Sequence, residues 1–125
     1  MSADRRFPRG VFGTGPDPDT RFTLANERTF LAWTRTSLAL VAGAVAVHSP
    51  FFELDVWVSN VASLWLLALA ALCVGQAWWR WRAVEKAIRT GSPMPGFGAP
   101  ALLAAAVGVL IVSVAVGVLV VAVRA

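Results

Sequence analysis

Residues 24–35 read LANERTFLAWTR and carry three charges directly into the first of three long apolar segments. The charges are those of Glu27, Arg28 and Arg35. An ionisable side chain costs roughly 2.5–3.5 kcal/mol at the centre of a membrane-spanning helix on insertion scales. A chain that places charges in this position therefore uses them or pairs them.

The composition predicts an all-α integral membrane protein. Of the 125 residues, 58% are hydrophobic and 14% are charged, and the mean hydropathy is +0.68. A soluble domain of this size needs a more charged exterior. The formal net charge of +4 comes almost entirely from arginine. In a membrane protein, such charge indicates topology and contact with anionic headgroups of membrane lipids, and we expect no nucleic-acid partner.

Three apolar segments predict three transmembrane helices, at about residues 29–49, 57–79 and 99–123. The first is closed by a proline, Pro50, and the second has tryptophans at both ends, as is typical of membrane interfaces. The first helix is predicted to begin before the membrane, at Asp17-Pro18 or Asp19, because aspartate is a favourable helix N-cap.

The domain organisation follows from these segments. Residues 1–18 are rich in glycine, proline and charge, and we expect a disordered cytoplasmic arm. Residues 19–125 form the predicted three-helix transmembrane domain.

Basic residues flank the membrane on one side. The arm and the segment between the second and third helices carry Arg5, Arg6, Arg9, Arg21, Arg80, Arg82, Lys86 and Arg89, whereas residues 48–55 contain no lysine or arginine. The positive-inside rule places the N-terminus in the cytoplasm and the C-terminus outside. We therefore predict a multi-pass protein of the inner (plasma) membrane.

Arg21, Arg28 and Arg35 are seven residues apart, so they share one face of a helix. That face continues in small residues, namely Ala39, Ala42, Gly43 and Ala46, and the opposite face carries Phe30, Trp33, Leu40 and Val41. Small residues allow close helix packing. We therefore expect the arginine face to turn towards protein or a water-filled cavity and the large residues to face lipid.

None of the charges in residues 24–35 has a partner of opposite sign at helical spacing, and basic residues outnumber acids at this end. The candidate residues for binding an anion or a lipid phosphate are Arg21, Arg28, Arg35, Arg82 and Arg89. Asn26 and Glu27 are candidates for a helix lock or a gate. Three interpretations stay open: lipid anchors, a structural Glu–Arg lock between helices, and an anion pathway or binding site.

No pattern in the chain indicates catalysis. We find no metal-ligand spacing, glycine-rich phosphate loop or nucleophile arrangement, and the only cysteine, Cys73, lies in an apolar segment. We therefore expect no enzyme activity, no metal and no cofactor.

Residues 24–40 resemble the signature of the bacterial YidH-like membrane proteins, a domain of unknown function. That domain in turn resembles the membrane part of the eukaryotic vacuolar transporter chaperone, which synthesises and translocates polyphosphate. The resemblance implies three-helix subunits in a ring whose first helices line a channel and contact polyphosphate through basic residues.

Residue by residue, Glu27 and Arg28 match the motif, and Arg21 matches a basic position six residues before the glutamate. Arg35 is more characteristic of the bacterial members. The resemblance does not extend to a polymerase or phosphate-sensing domain. The resulting hypothesis is a homo-oligomeric module that binds or conducts a phosphate-rich anion such as polyphosphate. The alternative is a structural or accessory subunit that stabilises a partner and anchors lipid headgroups through its arginines.

Overall fold

A computed structural model describes residues 5–96 and 98–124 of the chain, which fold into helices without any strand. The helices are α1 (Arg9–Phe12), α2 (Thr20–Ala46), α3 (Val56–Thr90) and α4 (Gly98–Arg124). The last three are long and apolar enough to cross a membrane, so the predicted all-α, three-span architecture is confirmed. The orientation of the termini remains a prediction.

Helix α2 begins where the sequence predicts. The side chain of Asp19 accepts a hydrogen bond of 3.0 Å from the backbone N–H of Arg21 and so caps the helix. The helix runs without interruption through the residues 24–35 and ends at Ala46, just before the segment that contains Pro50.

Helix α3 is longer than the predicted span. Its 35 residues extend about 52 Å, whereas the hydrocarbon layer is about 30 Å thick. The helix ends at Thr90 and is capped by Gly91, whose positive φ of 65° favours glycine. The basic segment that the sequence assigns to a loop is therefore largely a helical extension beyond the membrane, with Arg80, Arg82, Lys86 and Arg89 on it.

Helices α2 and α3 pack antiparallel through small and hydroxyl residues. The hydroxyl of Ser37 donates to the carbonyl of Ala70 at 2.9 Å, and that of Ser63 donates to the carbonyl of Ala44 at 3.0 Å. Ala44 is 1% exposed. Helices in a membrane usually associate through interhelical hydrogen bonds and small residues, because burying apolar surface contributes little to the stability of their association there.

The N-terminal arm packs against α3, which differs from the disorder we expected for residues 1–18. Val11 is 2% exposed, and Phe12 lies against Trp81 with ring centroids 6.2 Å apart. Residues 5–18 pack because these two apolar side chains bury their surface against α3. The overall composition of the arm does not reveal this contact. Residues 1–4 lie outside the described residues.

Helix α4 contacts α2 and α3 near its beginning. Leu102 and Leu103 line a small cleft together with Trp33 of α2 and with Leu72 and Gln76 of α3. Beyond that cleft, the described side chains of α4 are mostly exposed within the single chain. The buried residues of the described chain therefore lie in the unit formed by α2, α3 and the arm.

We predict that Ala44→Leu destabilises this unit by about 1–3 kcal/mol, because a larger side chain cannot fit where α2 touches α3. Thermal unfolding in detergent, followed by circular dichroism, measures the change. Ala68→Leu on the exposed side of α3 is the matched control and should leave the unfolding temperature unchanged. Equal stability of the two variants would contradict the packing described.

Candidate functional site

A buried carboxylate joins α2 to α3 at the end of the helix pair that carries the arm. Glu85 of α3 is fully buried. It accepts hydrogen bonds from the hydroxyl of Thr23 at 3.1 Å and from the amide of Asn26 at 3.3 Å. Asn26 also donates to the carbonyl of Trp81 at 3.1 Å. We call Thr23, Asn26, Glu85 and Arg89 the polar lock.

Arg89 completes the lock one helical turn after Glu85. Its side chain is 3% exposed, its Nε lies 3.5 Å from Oε1 of Glu85, and its Nη1 lies 3.0 Å from Oδ1 of Asp17. The Nε atom makes no hydrogen bond to any residue that the structure describes, so its contact with Glu85 is an ion pair only. A buried acid is tolerated when its charge and its lone pairs are both satisfied, as they are here.

Asp17 connects the arm to the lock. Its carboxylate accepts hydrogen bonds of 2.9 and 3.2 Å from Arg6, in addition to its ion pair with Arg89. The hydrogen bonds from Arg6 and Arg89 hold the pKa of Asp17 below its ordinary value of 3.8. The two guanidinium groups also lie over the ring of Phe12, 4.9 Å (Arg6) and 4.8 Å (Arg89) from its centroid.

A glycine brings the arm close to α3. Gly15 has a φ of 64°, and a Cβ at this position would overlap the carbonyl oxygen of Arg89. Glycine alone adopts this positive φ readily and also has no Cβ that would overlap the carbonyl. The contact of the arm with the end of α3 is therefore specified by the sequence.

The structure brings Asn26 into the lock but leaves Glu27 outside it. Glu27 is exposed, because the next residue of a helix is rotated about 100° from its neighbour. The acid that meets α2 is Glu85, which our sequence analysis did not single out. The sequence feature that could have indicated Glu85 is Arg89, a residue of opposite charge four positions later. Two residues at this spacing face each other only if the segment is helical.

The arginine face, which we define as Arg21, Arg28 and Arg35, is exposed. It lies on the side of α2 opposite the buried Asn26, Ser37 and Ala44, and therefore away from α3. None of the three guanidinium groups has a partner among the residues that the structure describes.

The expectation that the large residues of α2 face lipid was wrong for most of them. Phe30, Trp33 and Leu40 are half-buried, and Trp33 lies in the cleft between α3 and α4. The reason is that helical spacing shows which residues share a face but not which face meets the neighbouring helix.

The three arginines differ in depth. The hydrogen bonds from Asn26 to Trp81 and from Ser37 to Ala70 fix the antiparallel register. Arg28 therefore lies near the level of Trp79, whereas Arg35 lies about 10 Å further along α2, where α3 is apolar.

The remaining candidates have intramolecular contacts. The guanidinium of Arg82 lies 5.6 Å from the ring centroid of Trp79 and 6.0 Å from that of Trp78. Arg89 is held in the polar lock. Of the five predicted anion-binding residues, only the three of the arginine face therefore have no intramolecular contact of their guanidinium groups among the described residues.

Comparisons with known proteins agree with the family resemblance. A family model described as a domain of unknown function (DUF202) matches residues 21–87, more than half of the chain. Uncharacterized protein Rv2272 of Mycobacterium tuberculosis is 44% identical over 102 residues, 81% of this chain and 82% of that protein. Inner membrane protein YidH of Escherichia coli is 41% identical over 83 residues, 65% of this chain and 71% of that protein.

No solved structure matches the chain. None of these descriptions mentions the vacuolar transporter chaperone, so that part of the resemblance remains a prediction.

We predict that Glu85→Gln lowers the free energy of unfolding by about 3 kcal/mol, because it leaves the buried Arg89 without its buried counter-charge. Glu27→Gln, the matched control, should change it by less than about 0.5 kcal/mol, since Glu27 is exposed. Chemical unfolding in detergent measures both. The lock is not as described if Glu27→Gln is the more harmful of the two.

We also predict that closure of the arm depends on pH through Asp17. Because the pKa of Asp17 is lowered from 3.8, the contact contributes fully above pH 3.8, and this contribution is lost as the pH falls through the lowered pKa. Arg6 and Arg89 face this carboxylate, and Glu85 lies behind Arg89. Amide hydrogen exchange in residues 11–14, corrected for its intrinsic pH dependence, should show this loss in the wild type. In Asp17→Asn, exchange should be fast at every pH, and slow exchange there would contradict the role of Asp17.

Proposed function

The chain belongs to the DUF202 family of YidH-like membrane proteins, and we propose that this multi-pass inner-membrane protein binds phosphate-bearing anions through its arginine face. The observation that carries the proposal is the set of three exposed guanidinium groups on one side of α2, with no acid opposite them among the described residues. Guanidinium groups bind phosphate oxygens in pairs of short, charge-assisted hydrogen bonds.

The depth of Arg35 argues for a face that is shared between copies of the chain. Arg28 lies at the level of Trp79 and reaches lipid headgroups, but Arg35 lies about 10 Å deeper, where an isolated charge is unfavourable. A face that lines a water-filled interior solves this problem. A chain of three helices is too small to enclose such an interior alone, so the proposal requires a homo-oligomer.

The rest of the same face suits such an assembly. Beyond the arginines it continues in Ala39, Ala42 and Ala46, which are all exposed within one chain. Small residues let helices approach closely and form contacts in lipid. In this arrangement the arginine face forms a basic vestibule at one end of the assembly, and the anion binds or passes there.

The proposed function is non-catalytic binding. The ligand is defined by its chemistry, a polyanion with repeated phosphates such as polyphosphate, because repeated arginines about 10 Å apart engage repeated charges.

A second candidate is a structural or accessory subunit whose arginines bind lipid headgroups. The level of Arg28 beside Trp79 favours it, since tryptophan and arginine are both common at the membrane interface. The two candidates differ in what Arg35 does. Lipid anchoring needs Arg21 and Arg28 only, whereas a vestibule needs the deeper arginine as well.

We predict that Arg35→Ala lowers the binding of pyrophosphate or short polyphosphate, and any anion flux through liposomes, by about tenfold. Arg35→Lys should retain part of the effect, because it keeps the charge and loses the paired geometry. Arg124→Ala, at the far end of α4, is the control for net charge. Wild-type binding and flux in Arg35→Ala would contradict the vestibule and leave lipid anchoring as the better account.

A further inference from the structure

We propose that the cleft between α2, α3 and α4 binds one glycerophospholipid through its acyl chain, an ester carbonyl and its phosphate. The cleft is lined by Trp33, Leu72, Gln76, Leu102 and Leu103. It shares no residue with the arginine face, so the proposal does not depend on anion binding there.

The apolar wall of the cleft is open to the surrounding lipid. Leu72 and Leu102 are 55% and 67% exposed, and Leu103 is half-buried. All three belong to helices that are long and apolar enough to cross a membrane. The cleft therefore opens sideways into the hydrocarbon layer, where an acyl chain can enter it.

Two residues that line this apolar cleft carry polar groups without a partner. The amide of Gln76 and the indole N–H of Trp33 make no hydrogen bond to any residue that the structure describes. A polar group at membrane depth is unfavourable unless it has a hydrogen-bond partner. Acyl chains offer none, but the ester carbonyls of a glycerophospholipid accept hydrogen bonds from an amide or an indole.

The depth of Gln76 suits an ester carbonyl. Gln76 lies three residues before Trp79, which is about 4.5 Å along α3. Trp79 is 67% exposed, and exposed tryptophans are common at the membrane interface. Gln76 therefore lies just on the hydrocarbon side of that interface, at the level where phospholipid chains join the glycerol.

Arg80 supplies a group for the phosphate. Leu72, Gln76 and Arg80 follow one another at steps of four residues, so they lie on one side of α3 at intervals of about 6 Å. Arg80 is half-buried and forms no ion pair within the described part of the chain. This side of α3 thus carries an apolar, a hydrogen-bonding and a cationic group, in the order of the chain, ester and phosphate of a phospholipid.

The test uses phosphatidylglycerol as the probe, titrated onto delipidated protein in detergent and counted by native mass spectrometry. Gln76→Leu keeps the size of the side chain but removes the amide, and Arg80→Met removes the charge. Lys86→Met is the matched control, because Lys86 is an exposed cation further along the same helix. We expect one tightly bound lipid per chain, with an affinity about tenfold lower in the first two variants and unchanged in the control.

A change in the lipid tests the ester contact without any change in the protein. Ether-linked phosphatidylglycerol keeps the chains and the phosphate but has no ester carbonyl. The wild type should bind it about tenfold more weakly than the ester lipid, whereas Gln76→Leu should bind both lipids equally. Equal binding of the two lipids by the wild type would overturn the proposal.

Other occupants of the cleft give different results. If a second copy of the chain fills it, Gln76→Leu changes the number of subunits and leaves the affinity for lipid unchanged. If Arg80 merely attracts any phosphate, free glycerol phosphate displaces the lipid and the ether lipid binds as well as the ester. Either result would overturn the proposal.

Discussion

The buried carboxylate of Glu85 is the constraint on which the rest of the structure depends. A carboxylate out of contact with water must have its charge and its oxygen atoms satisfied. Thr23 and Asn26 do this from α2, and Arg89 does it from the next turn of α3. Because these groups can meet Glu85 only when α2 has one rotation and one register, the lock fixes the position of every other residue of α2.

That rotation accounts for the direction of the arginine face. With Asn26 turned to Glu85, and with Ser37 and Ala44 against α3, the residues on the other side of α2 must face outwards. Arg28 thereby lies near the level of Trp79, and Arg35 lies about 10 Å further along α2, where α3 is apolar. The same lock that stabilises the helix pair thus presents unpaired positive charge to whatever surrounds it, which links the packing of the chain to its proposed function.

The large-scale architecture could be predicted from the sequence, because hydropathy and proline positions determine the spans, and Asp19 is a recognisable N-cap. Glu85 could not be singled out. Hydropathy falls after Trp79, yet the helix continues because alanine, glutamate, lysine and arginine are good helix formers. The packed structure of the arm could not be predicted either, since its glycines and prolines suggest disorder. The contacts with α3 come from Val11 and Phe12. Asn26 and Glu27 were both candidates for a helix lock or a gate, and only the structure shows that Asn26 is the one that contacts α3 and that Glu85 is its partner.

We propose that the lock turns the arginines towards a space shared by several copies of the chain. The most direct test is native mass spectrometry of the protein extracted in lipid nanodiscs, scored for the number of subunits. We expect a closed assembly of more than two copies, since a symmetric ring gives the arginine faces a common axis. A monomer or a dimer would contradict it, because neither can enclose a basic vestibule.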